Sequence, residues 1–204
     1  MVAVDKPEGL ASIPERDPAP KSLLTLLSSR VPVRLYVVHR LDKDVSGVIL
    51  FAKHAAAHRH LNLQFDRRTV RKSYMALVHG SVEKDSGRVE APIRPFGSGR
   101  VAVDGKKGKA SCTEYRVVRR CPSHTLVRLH PLTGRRHQLR VHLYSIGHPV
   151  AGDKRYGDPE LQKPYARLML HAERIAFRLP SGNPVTVESP LPASFGRIVD
   201  ALCP

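Results

Sequence analysis

The sequence predicts a mixed α/β (α+β) fold, with a long, largely antiparallel sheet and flanking helices. Three observations predict it. Short runs of apolar and β-branched residues recur along the whole chain, turn signals such as Asp104-Gly105 and Gly152-Asp153 separate them, and few segments carry helical periodicity. At 204 residues the chain suffices for one well-buried domain of up to two lobes.

Val2-Ala3-Val4 reads as a strand that stops at Lys6-Pro7, because proline cannot donate to a ladder and biases the residue before it away from helix. The stretch 11–20 carries three prolines and reads as a loop. Ser22 can cap a helix whose apolar positions are Leu23, Leu24, Leu26 and Leu27. The run Val48-Ile49-Leu50-Phe51-Ala52 suits a buried strand, and Gly47 before it permits a tight approach. His54 to Phe65 predicts a helix. Its His54 and His58 stand at i,i+4, but without the glutamate of a zinc protease or a third ligand they read as exposed histidines and no metal is expected.

The segment Lys72–Val78 predicts a strand with Tyr74, Ala76 and Val78 on one face, which directs Tyr74 inward. Short strands are expected at 87–91, 100–103 and 111–118, with Asp104-Gly105 as a hairpin turn. Gly105-Lys106-Lys107-Gly108-Lys109 lacks the spacing of a phosphate-cradling loop and reads as a basic hairpin. A strand at 125–129 precedes a helix capped by Thr133 and stopped by Gly147, with Leu139, Leu143 and Ile146 on its buried face and Arg136 and Arg140 together on another. Strands at 168–177 and 185–188 and a short helix from Ser194 complete the chain.

The formal charge is +16, from 34 Lys+Arg against 18 Asp+Glu, which points to a polyanionic partner, nucleic acid first. No apolar stretch approaches the roughly 18 residues of a membrane span, so no membrane partner is expected. The three cysteines are odd in number, widely spaced and form no CxxC, so neither a disulfide framework nor a zinc site is predicted and a reducing cytoplasm fits. The N-terminus has no secretory signature.

The densest chemistry lies in His39-Arg40-Leu41-Asp42-Lys43-Asp44, followed by Val45-Ser46-Gly47 and the apolar run. A polar loop anchored on a buried strand aims one side chain rigidly, and Asp42 is the candidate. Taken alone, the stretch reads first as a solvated, salt-bridged turn. Its surroundings decide otherwise. The stretch resembles the HRLDxxTSG signature of the RluA-type pseudouridine synthases, and Asp5-Lys6-Pro7-Glu8-Gly9-Leu10, Lys72-Ser73-Tyr74-Met75-Ala76, Thr133–Leu143, His148–Asp153 and Leu170-His171-Ala172 follow in that family's order.

The resemblance implies a long mixed sheet in two lobes with an active cleft between them. It also implies a single catalytic domain over 1–204 without a separate RNA-binding domain. The reaction implied is an isomerisation of uridine in RNA, rRNA or tRNA, needing no cofactor, by a monomer with no expected DNA partner. Asp42 maps to the catalytic aspartate, Arg140 to the arginine that keeps it ionised, and Tyr74 to a ring that stacks on the base or exchanges protons. Arg40 maps to the residue that fills the gap left by the flipped base, and Leu170, with Leu168 as fallback, to the apolar wall of the uracil pocket. His39, Lys72, Arg135, His137, Gln138 and the basic Lys106, Lys107 and Lys109 are read as RNA-binding residues. Arg16, in a loop the family places near the catalytic one, is noted without a role.

Two departures stand out: Val45 replaces the usual threonine, and Arg136 a small hydroxyl residue. Compared with the family the chain begins late, inside its first strand, so upstream residues and an incomplete sheet edge are expected. Other readings are a catalytically silent RNA-binding protein and a metal-dependent nuclease using Asp42, Asp44 and histidines, the latter with poor ligand spacing.

Overall fold

A computed structural model describes residues 1–15, 21–97 and 99–203; Arg16 lies outside them. The chain forms two compact units, Met1–Lys72 with Ala172–Pro190, and Ser73–His171 with Leu191–Pro204. The strands belong to a mixed, mostly antiparallel sheet with few flanking helices, the class predicted.

The first unit opens with β1 (Val2–Lys6), α1 (Leu23–Ser28), β2 (Tyr36–Val37), β3 (Ser46–Ala52) and α2 (Ala55–Asp66). The second contains β4 (Arg71–His79, from Ser73 onward), β5 (Ser86–Glu90), β6 (Ile93–Pro95), β7 (Val101–Val103), β8 (Cys112–Arg120), β9 (His124–Pro131), α3 (Gln138–Ser145) and α4 (Pro159–Gln162). The chain returns to the first unit within β10 (Leu170–Arg178), adds β11 (Pro184–Glu188), and ends in the second with α5 (Ala193–Leu202).

In the first unit β3 is buried at all seven positions, as its apolar run demands, between β1 and β10. β1 pairs with it antiparallel from Val2 opposite Phe51 to Lys6 opposite Gly47. Gly47 has φ +116°, and a Cβ there would collide with the backbone of Ala172, so the close approach of β10 requires glycine. Ala57 and Leu61 of α2 pack with Val48, Leu50 and Ala52 of β3 and Ile175 and Phe177 of β10. Ser22 caps α1 as predicted, its Oγ accepting from Thr25 N–H at 3.2 Å. His54 caps α2 through Nδ1, and His58 bonds the Val37 carbonyl at 3.0 Å, which gives both histidines structural partners.

In the second unit the order is β4-β9-β8-β5, with β6 and β7 as a separate hairpin. Four sequence expectations are corrected here. The helix assigned to Thr133 begins at Gln138: Thr133 Oγ1 accepts from Cys112 N–H at 3.0 Å and donates to Gln138 Oε1 at 2.7 Å, and His137 at φ +53° breaks helical continuity. Arg136 is therefore off the helix, and Ile146, expected in the buried face, is 37% exposed. Asp104-Gly105 is a turn but does not join a hairpin of β7 with β8: β7 pairs with β6 and β8 with β5 and β9, and Asp104 Oδ1 accepts from the N–H groups of Lys106 and Lys107, both at 2.9 Å. Finally, Cys121 after β8 is disulfide-bonded to Cys203 after α5, with Cα atoms 4.7 Å apart at a sequence separation of 82, a spacing that carries no signal.

Candidate active site

The Asp42 loop is built by its neighbours. Asp42 and Val45 close a turn, Val45 N–H donating to the Asp42 carbonyl at 3.1 Å. The residue before Asp42 is clamped by Ser12, whose Oγ donates to the Leu41 carbonyl at 2.8 Å and accepts from Leu41 N–H at 3.1 Å. The residue after it is held by Lys6, which is fully buried and donates to the carbonyls of Pro7 (2.8 Å), Leu10 (2.8 Å) and Lys43 (2.9 Å). A lysine ammonium carries three donors, and three carbonyls meet them here. Val45 is 3% exposed, so its β-branched side chain serves as core beneath the turn, where a hydroxyl would need a partner. Asp42 itself is partly exposed, and Arg40 is exposed on the approach to it. The loop thus presents one carboxylate at a fixed place on a rigid base.

His39, three residues upstream, turns into the unit. Its Nε2 accepts from Leu50 N–H at 3.0 Å and its ring stacks on Phe65 at 5.0 Å, so it splices the loop to β3. Burial and then the nearby Lys72 push its pKa down to about 3, and the imidazole is neutral at physiological pH. Burial likewise lowers the Lys72 ammonium. His39 is therefore placed as a support of the Asp42 loop.

The second unit carries a second constellation around α3. Arg140 is 5% exposed and grips Asp153, Nε to Oδ2 and Nη2 to Oδ1, each at 2.7 Å. Asp153 Oδ1 also accepts from the N–H groups of Arg155 (2.9 Å) and Tyr156 (3.1 Å). The Arg140 guanidinium lies 5.1 Å from the centre of the Tyr156 ring, and the Tyr156 hydroxyl bonds His137 Nδ1 at 2.8 Å and accepts from Val101 N–H at 3.2 Å. Desolvation raises the Tyr156 phenol, which keeps it a neutral donor and acceptor.

Gln138 is 4% exposed, accepts from Thr133 Oγ1 (2.7 Å) and Arg135 N–H (3.0 Å), and donates to the Cys112 carbonyl (2.9 Å) and Thr113 Oγ1 (3.0 Å). Its amide is consumed in folding the loop before α3. Arg135 is exposed, with long hydrogen bonds of 3.4 Å to the Ala110 carbonyl. Tyr74 is half-buried on β4 opposite Leu129, and Leu170 is buried at the start of β10, as is the fallback Leu168 just before it. Lys106, Lys107 and Lys109 are exposed on the turn that follows β7.

Of the predicted residues, Asp42, Arg40, His39 and Lys72 belong to the first unit, and Tyr74, Arg140, Arg135, His137, Gln138, Leu170 and the three lysines to the second. Sequence reasoning assigns no role to Lys6, Ser12, Asp153 or Tyr156. Lys6 and Asp153 do lie inside the motif segments Asp5–Leu10 and His148–Asp153, and that is the signal the sequence holds for them.

Residues 1–145 match the RNA pseudouridylate synthase family. The chain belongs to that family. The dual-specificity RNA pseudouridine synthase RluA of Pasteurella multocida is 41% identical over 198 residues, covering 92% of this chain and 85% of the relative. The ribosomal large subunit pseudouridine synthase D of Nitrosomonas europaea is 40% identical over 217 residues, covering 99% of this chain and 62% of its own length. Among solved structures, human RNA pseudouridylate synthase domain containing 1 superposes with a TM-score of 0.80 at 29% identity, covering 98% of this chain and 89% of that one. This pseudouridine synthase is an isomerase acting on RNA.

Proposed function

We propose that this synthase converts uridines of structured rRNA or tRNA to pseudouridine, with Asp42 as the residue that attacks the nucleoside or takes a proton from it. The names of its relatives, one dual-specific and one acting on the ribosomal large subunit, support the choice of RNA. In the reaction the N1–C1′ bond breaks, the C5–C1′ bond forms, and the proton lost from C5 is balanced by one gained at N1. No external reactant is needed. Tyr74 stacks on the uracil or exchanges that proton, Leu170 lines its apolar wall and Arg40 fills the stack, while Arg140, whose guanidinium is bonded to Asp153, is the residue proposed to favour an ionised carboxylate.

The observation that carries this reading is the double clamp on the Asp42 turn, Ser12 on Leu41 and Lys6 on Lys43, because preorganised geometry is what a single-carboxylate mechanism requires. A monomer made of one catalytic domain, working in the cytoplasm without DNA or membrane partners, completes the proposal; among the described residues no helix is long and apolar enough to cross a membrane. The test is pseudouridine mapping in RNA from cells with the gene, without it, and with Asp42→Asn. Sites that vanish without the gene must stay absent with the variant. Retention of more than about a hundredth of the wild-type turnover would refute Asp42, since even acid–base assistance alone contributes about 10²–10⁴.

A further inference from the structure

The second unit has a cleft of about 520 Å³ between the β6–β7 hairpin and α3, lined by Phe96, Arg100, Val101, Val103, Tyr144 and Tyr156 among others. That volume is within the range of about 300–1,000 Å³ typical of small-ligand sites. Two of its lining residues are exposed aromatics, Phe96 at 43% and Tyr144 at 46%, and a third, the buried Tyr156, lies 5.1 Å from the Arg140 guanidinium.

One cation, Arg100, lines the cleft. The hairpin and the turn after it, residues 94–109, also carry Arg94, Lys106, Lys107 and Lys109 against a single carboxylate, Asp104, which pairs with Arg94 at 3.2 Å. The Arg94 guanidinium also lies 5.2 Å from the centre of the Phe96 ring, and Arg155 reaches across to the Gly99 carbonyl at 3.3 Å. Among the described residues, none that lines the cleft is acidic. Flat rings flanked by guanidinium groups, open to solvent in a strongly basic chain, match the chemistry of a base-stacking platform with a path for the phosphates beside it. An apolar peptide would find the same rings but no use for the cations.

We propose that this cleft is a stacking subsite for one nucleobase of the RNA other than the target uridine, gripped between Phe96 and Tyr144 with its phosphates toward Arg100 and the lysines after β7. The proposal rests on the reading of the chain as an RNA-modifying synthase and extends it to how the substrate is held.

The test is binding of two probes to the intact protein, a short oligoadenylate and an abasic ribose-phosphate polymer of equal length, across a salt series. Tyr144→Leu and Phe96→Leu, which keep bulk but remove the ring, should each weaken oligoadenylate binding by about 5- to 150-fold, the loss of one stacked base. Abasic binding and the log–log salt slope should stay as in the wild type, and Tyr144→Phe should bind like it. Thermal unfolding of each variant reports whether the fold is kept. Leucine variants that bind oligoadenylate normally overturn the proposal, as does an equal loss on the abasic polymer. Equally fatal is a wild-type dimer that Tyr144→Leu dissociates without weakening RNA binding, which would make the cleft an interface with a second copy. Pseudouridine formation by the wild type on cellular RNA is measured alongside. Its absence would refute the functional reading, whereas its presence with unchanged variant binding refutes the cleft alone.

Discussion

Arg140 and Asp153 face each other through two parallel hydrogen bonds of 2.7 Å, with both side chains almost wholly buried. Removing one partner of such a pair strands the other, so Asp153→Ala should destabilise the protein by about 3–5 kcal/mol in urea unfolding. Arg140→Lys keeps the charge but not the fork and should cost less. A double replacement, Arg140→Met with Asp153→Leu, should recover most of the stability and none of the activity. If activity returned with stability, Arg140 would be a structural residue only. If Arg140 also has the role proposed for it, of favouring an ionised Asp42, the pH at which activity is half-lost on acidification should rise in an Arg140→Ala enzyme that still folds.

Ser12 and Lys6 should act on rate more than on affinity, since both hold backbone beside Asp42. Ser12→Ala leaves the Leu41 N–H and carbonyl without this partner, a stability cost of about 1–3 kcal/mol. The expected kinetic signature is a fall in kcat of roughly tenfold or more with KM little changed, because a small misplacement of the reacting group is costly. A pure KM effect would show that the clamp serves binding instead.

His39 has its folded pKa depressed to about 3 from the ordinary 6.5, so the unfolded chain takes up its proton first as pH falls. The stability tied to the neutral imidazole is fully present above the ordinary value and is lost progressively as pH drops from 6.5 toward 3. His39→Gln, which retains an acceptor for Leu50 N–H, should flatten urea midpoints across that window. Midpoints that fall as steeply in the variant would assign the acid sensitivity to other groups.

RNA affinity should decline steeply with salt in a chain of charge +16. Replacing Lys106, Lys107 and Lys109 together by glutamine should flatten the log–log slope by about 0.7 to 0.9 for each phosphate that is no longer neutralised. An unaltered slope would leave that turn as a solvated one, shaped by Asp104 for local reasons alone.

What is legible in the sequence is whatever is encoded locally. β3 stands out because its run Val48–Ala52, buried throughout, is apolar at every position, and α1 because Ser22 sits one residue before its leucines. The start of α3 is displaced from its expected place because Thr133 is a plausible cap in isolation, whereas its hydroxyl is spent on Cys112 and Gln138. Asp42 is visible through its motif, but the role of Asp153 is not, since the arginine it pairs with is thirteen residues away and nothing local couples them. Lys6 is a similar case. A lysine ahead of a proline looks like a solvated strand end, and only the folded loop brings three carbonyls to it.

The first unit is assembled from two separated stretches of chain, and that bears on how the protein is made. Val48, Leu50 and Ala52 of β3 share a core cluster with Ile175 and Phe177 of β10, and Val185 and Val187 of β11 pack against it; these leave the ribosome long after β3. At about 5–20 residues per second the apolar run Val48–Ala52 waits on the order of 7 to 27 s for its cover. During synthesis it is a candidate for chaperone binding, and a nascent chain stalled before β11 should be protease-sensitive through β3 while one released beyond it is resistant.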